Sequence, residues 1–149
     1  IATGVAGTGP AFAATMSGAY TLSTTSTWTK LPLNTETFDT ASCYDTTNYR
    51  FTPNVAGYYQ VNLFTSCAAV GAGTPVIGIS IYKNGSIVGN SLQYSQAYAG
   101  SYGGLALNVV MSMNGSTDYI EMYGYTTQSA YFYAGGPGTS FSAALIRSA

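Results

Sequence analysis

From Gly57 to Thr65 the chain reads Gly-Tyr-Tyr-Gln-Val-Asn-Leu-Phe-Thr, and Tyr59, Val61 and Leu63 alternate with Gln60 and Asn62. A period of two sends successive side chains to opposite faces of a β-strand, so this segment is predicted to bury the first set and leave the second outside. Helical spacing of apolar residues is almost absent elsewhere, while alternating runs separated by turn residues recur along the chain. The pattern predicts an all-β domain.

Val76–Tyr82 and Ile87–Asn90 flank Lys83-Asn84-Gly85-Ser86. Asn-Gly between two β-prone runs favours a type I′ turn, because both central residues must take positive φ. Asn114-Gly115 is expected to do the same between Leu105–Met113 and Tyr119–Tyr125. The run Ser140–Ile146 is apolar enough for a buried strand that closes the structure. Periodicity alone leaves sandwich, jelly roll and barrel open. Residues 1–9 have another texture, rich in Gly without alternation, and read as a linker ahead of a single domain over 10–149. Gly4 and Gly7 are spaced as in a Gly-X-Y collagen-like stalk, but two glycines are a weak signal and a flexible leader is the preferred reading. The first residue is Ile1 rather than Met, as expected of a segment cut from a longer protein.

Charge restricts the chemistry. Four Lys plus Arg against five Asp plus Glu, with no His, cannot supply a phosphate-binding field, so nucleic acid is not an expected partner. Lack of His also removes the common general base and the commonest metal ligand. Two carboxylates could still serve glycoside hydrolysis, and the chain offers Glu36, Asp39, Asp45, Asp118 and Glu121. Asp118 reads as a turn residue and Glu121 as a solvated side chain on the outer face of its strand, so no enzyme is expected. Cys43 and Cys67 permit one disulfide, and otherwise read as small half-buried thiols. No apolar run approaches the roughly 20 residues that span a bilayer, and membrane insertion is not expected.

Five segments, in order, resemble the globular head of complement component 1q and the related tumour necrosis factor-like domains. Pro10-Ala11-Phe12-Ala13-Ala14 looks like the family's opening strand. Phe38-Asp39, Cys43-Tyr44-Asp45 and Tyr49-Arg50-Phe51-Thr52-Pro53-Asn54-Val55-Ala56-Gly57-Tyr58-Tyr59 are similar to its most recognisable stretch, with Ala56 where Pro is usual. Tyr82-Lys83-Asn84-Gly85 resembles its Lys-Asn-Gly hairpin. Leu107–Met113 followed by Asp118–Met122 looks like its Gly-Asp strand pair, and Thr139–Ser142 running into Leu145-Ile146 looks like its closing strand. The wording is closer to bacterial and bacteriophage members than to animal ones.

The resemblance implies a ten-stranded jelly-roll β-sandwich with Greek-key connections, assembled as a homotrimer that often caps a fibrous stalk and binds partners without catalysis. It places Tyr58, Tyr59, Ile120, Met122, Phe141 and Leu145 on inner-sheet strands, as core or trimer-interface contacts. Some members hold Ca²⁺ near the trimer apex, which makes Asp39 and Asp45 weak calcium candidates; no other cofactor is expected. Tyr is the most informative residue type here, with 14 copies. Each offers a flat apolar face and a hydroxyl at modest entropic cost. Tyr94, Tyr98 and Tyr102 lie in a Gly- and Ser-rich stretch, and Tyr125, Tyr131 and Tyr133 border another, so these six are the ligand-contact candidates. Together these features lead to an attachment head of a phage or bacterial surface fibre, at a virion surface or otherwise extracellular, binding a cell-surface glycan or protein. The alternative is a structural trimerisation or particle-decoration domain without a ligand.

Overall fold

The computed structural model describes residues 9–135 and 138–149. It contains thirteen strands and, among these residues, no helix: β1 (Ala11–Thr15), β2 (Tyr20–Leu22), β3 (Thr29–Lys30), β4 (Thr35–Asp39), β5 (Tyr44–Asp45), β6 (Arg50–Phe51), β7 (Ala56–Ala69), β8 (Val76–Lys83), β9 (Ser86–Gln96), β10 (Gly103–Asn114), β11 (Ile120–Thr126), β12 (Ala130–Phe132) and β13 (Ser140–Ser148). Three of them are two-residue segments at sheet margins, which is why more strands are present than the ten expected. Apart from Gly9, the Gly-rich leader lies outside the described residues.

Sheet I has seven strands in the order β2-β12-β7-β13-β1-β4, with β10 on the other side of β7. Sheet II has six, β5-β6-β11-β8-β9, with β3 also on β11. All pairings are antiparallel. The chain changes sheet at each step from β2 to β5, at each step from β6 to β8, between β9 and β10, and on either side of β11, and its last strand returns beside its first. That interleaving makes a Greek-key jelly roll out of hairpin-like pieces.

Tyr59, Val61 and Leu63 are buried, as their alternation requires, and Gln60 and Asn62 lie on the outer face. The core meets where the sequence motifs converge. Phe12 stacks on Tyr44 at 4.6 Å and on Phe51 at 4.4 Å, and receives the edge of Phe141 at 4.8 Å. Phe51 in turn packs edge-to-face on Tyr59 at 5.8 Å. The two buried phenols are satisfied: Tyr44 donates to the Leu33 carbonyl and Tyr59 to the Val55 carbonyl, each at 2.7 Å.

Asn84 and Gly85 have φ of 53° and 79°, the type I′ combination, and join β8 to β9. Asn114-Gly115 does not make a second hairpin. β10 pairs with β7 in sheet I and β11 with β8 in sheet II, so Asn114–Asp118 is a crossover between sheets. Only Gly115 takes positive φ (71°), and the Asn114 side chain accepts from the backbone N–H groups of Ser116, Thr117 and Asp118. An Asx cap holds this turn, and a Cβ on Gly115 would collide with the backbone at Ala56.

Candidate functional site

The proposed interface set divides. Tyr59, Ile120, Met122 and Phe141 are wholly enclosed between the sheets and have no surface to offer another chain. Ile120 and Met122 belong to sheet II, opposite the sheet expected for them. Tyr58, at 46% exposure, and half-buried Leu145 remain at the surface of sheet I.

Neither sulfur is part of a disulfide. Cys43 and Cys67 are both free and buried, with Cys43 donating to the Ala41 carbonyl and Cys67 lying against the Gly103 carbonyl. Burial pushes the Cys67 thiol up to about 11, and Cys43 rises in the same direction, so both stay protonated at neutral pH.

The carboxylates have local duties. Asp39 accepts from the amides of Ala41 and Tyr44. Asp45 accepts from the Asn48 side chain and from the Thr47 and Asn48 amides, bonds that hold its carboxyl below the usual range. With their oxygens facing N–H donors, and no cluster of three acidic or other metal-ligating side chains among the described residues, Asp39 and Asp45 do not fit a calcium cage of six to eight oxygens. Asp118 is the turn residue its sequence position predicts, paired with Lys83 at 2.8 Å and accepting from Asn84.

Glu121 corrects the solvated-strand expectation. It does point to the outer face of β11, but it is only 2% exposed. Lys30 from β3 and Arg50 from β6 close over it at 3.1 and 2.9 Å, and the Arg50 guanidinium lies 3.7 Å from the centre of the Tyr119 ring.

The six tyrosine candidates fall on different surfaces. Tyr131 and Tyr133, with Tyr102, form one group at the end of sheet I; Tyr102 to Tyr133 is 4.9 Å between ring centres and Tyr131 to Tyr133 6.1 Å. Tyr102, 74% exposed, and Tyr133 help line a shallow recess of about 90 Å³ with Ala68, Gly100 and Ser101. Tyr98 stands apart in the loop, donating to the Gln96 side chain at 3.1 Å. Tyr94 and Tyr125 lie instead on the outer face of sheet II.

There the register stacks three rows across β11, β8 and β9: Glu121, Tyr82 and Ile87; Tyr123, Ser80 and Leu92; Tyr125, Gly78 and Tyr94. Trp28, the residue before β3, joins the third row at 5.3 Å from Tyr125 and 6.0 Å from Tyr94. Tyr82 stacks on Tyr123 at 3.8 Å beside them. Trp28, Tyr82 and Tyr123 were not among the expected contacts. One sequence signal existed: Gly78 lies inside the strand run Val76–Tyr82, and a glycine inside a strand marks a close approach without naming what approaches.

No protein-family model and no curated protein sequence matches this chain. Solved structures do. Murine APRIL superposes with a TM-score of 0.64 over 93% of this chain and 99% of its own, at 9% identity. The Eiger TNF of S. frugiperda gives 0.60 over 94% and 92%, at 12% identity. The chain therefore has the tumour necrosis factor-like jelly-roll fold.

Proposed function

We infer that this domain is a trimeric recognition head, with the outer face of sheet I turned toward the threefold axis. The observation that carries the reading is the chemistry of that face. Across β7, β10, β13 and β1 it presents Tyr58, Phe64, Val110, Ala106, Ala144 and Ala13, interspersed with Gln60, Asn62, Asn108 and Ser142. On these four adjacent strands no charged side chain interrupts it before Arg147 near the end of β13. Val110 is 50% exposed in the single chain. A sheet face without a charged side chain over four adjacent strands has the charge depletion that marks the core of an interface. Closed cyclic symmetry would cover it in all three copies at once. Tyr102, Tyr131 and Tyr133, expected above as ligand contacts, continue this face at the end of sheet I, which supports a place for them where copies would converge.

Three copies on one rigid knob would turn weak single contacts into avidity, the property an attachment head needs. The sequence wording around Tyr49–Val61 supports a phage or bacterial fibre tip as the setting, exposed at a virion surface or outside a cell. The partner class is a cell-surface glycan or protein. Labelled head applied to intact host cells, glycan arrays and envelope proteins is expected to bind at least one of them. Uniform failure, together with loss of fibre assembly when the head is deleted, would favour a purely structural trimerisation domain.

A further inference from the structure

We propose that Trp28, Tyr94 and Tyr125 on the outer face of sheet II form a stacking site for a neutral saccharide, an assignment that rests on the recognition reading above. Gly78 supplies the floor. A Cβ there would stand 2.8 Å from Tyr94 Cε1 and 3.1 Å from Trp28 Cη2, so the missing side chain is what lets both rings settle against the strand. The rings are not parallel. Trp28 is tilted 42° to Tyr125 and 54° to Tyr94, and Tyr94 and Tyr125 stand at 88° to each other. The three rings pack on one another, with centres 5.3 to 6.0 Å apart, and present their outer surface, chiefly the exposed Tyr94 ring, to the C–H face of a sugar.

The polar atoms suit the same ligand. The buried phenols of Tyr44 and Tyr59 are tied to backbone carbonyls. By contrast, among the described residues no hydrogen bond to protein engages the Trp28 indole N–H or the hydroxyls of Tyr94 and Tyr125. Tyr94 is 47% exposed, so its ring can be reached from solvent. Charge selects against ionic ligands: Lys30 and Arg50, on the same sheet, are drawn onto Glu121 two rows away. A neutral polyhydroxylated ring matches apolar faces bordered by free hydroxyl and N–H groups better than a carboxylated or sulfated one. This surface also lies on the sheet opposite the one assigned to trimer contact, so all three copies would present it outward.

Trp28 is the sole tryptophan, and its emission reports on the site directly. The intact protein is titrated with maltohexaose, cellohexaose, chitohexaose and mannohexaose, and with a sulfated oligosaccharide. At least one neutral hexasaccharide is expected to give a saturable blue shift. Tyr94→Ala should weaken it about tenfold or more while the protein stays folded and keeps its oligomeric state, as loss of one ring contact implies. Tyr125→Leu provides the same test should Tyr94→Ala prove unstable. The assignment is overturned if no neutral hexasaccharide moves the emission, if the sulfated one binds in their place, or if the shift survives both substitutions. Cell binding unchanged in Tyr94→Ala and Tyr125→Leu would also reject this site while leaving the recognition head standing. A wild-type head that binds no cell, glycan or protein would instead reject the recognition reading itself.

Discussion

Glu121 shows what a single residue can hide. Its position in the strand alternation correctly sends it to the outer face, but the two cations that bury it come from β3 and β6, about ninety and seventy residues earlier. Strand periodicity carries no information about such distant partners. Replacing the carboxylate leaves two cations facing each other over a dry spot; both are about one-third exposed and can swing into water, which limits the cost. Glu121→Gln should therefore lower stability by about 2 kcal/mol in urea denaturation, and Glu121→Asp by less. The cysteines illustrate the same limit, since composition allows a disulfide and only the fold separates the sulfurs. Dithiothreitol should leave the melting temperature unchanged, and a thiol reagent should label both cysteines only on unfolding. The raised Cys67 thiol adds a pH effect. Above the ordinary thiol value of 9.0 the unfolded chain releases this proton while the folded chain keeps it to about 11, so stability falls as pH rises through that window. Cys67→Ala should flatten that decline, measured by denaturation at pH 8 to 11.

At the scale of elements, local rules worked where one segment decides the outcome and failed where two sheets compete. The alternation in β7 and the turn at Asn84-Gly85 were legible because both depend on neighbours in sequence. Asn114-Gly115 offers the same dipeptide, yet β10 already has β7 beside it for its whole length, and the following strand goes to the other sheet. The two glycines should respond differently. At Gly85 a Cβ meets nothing nearer than the Tyr119 hydroxyl at 3.6 Å, so Gly85→Ala costs only the positive φ, about 1 kcal/mol. Gly115→Ala adds a collision with the Ala56 backbone and should cost at least about 3 kcal/mol. Thermal melts of the two variants measure the difference. Acid adds a further handle on this region. Lys83 and Asn84 hold the Asp118 carboxyl below its ordinary value, so its contribution is present above about pH 4 and disappears as pH falls further. Asp118→Asn should reduce the acid sensitivity of unfolding.

For the molecule as a whole, the jelly roll was legible because the residues that resemble the family, Phe12, Tyr44, Phe51, Tyr59 and Phe141, are the ones that meet in the core. Surface function was less so. Sequence texture identified loop tyrosines as a group, whereas the fold divides five of them between two opposite faces, leaves Tyr98 in its loop, and adds Trp28 from a hydroxyl-rich segment far upstream. The proposed division of labour puts self-association on sheet I and an aromatic surface on sheet II, and the oligomeric state is its first half. Sedimentation velocity at micromolar concentration addresses it most directly. The account predicts one species of three 15.5 kDa chains, roughly 46 kDa, that Val110→Arg converts to folded monomer. A stable 15.5 kDa monomer of the unmodified chain would contradict it.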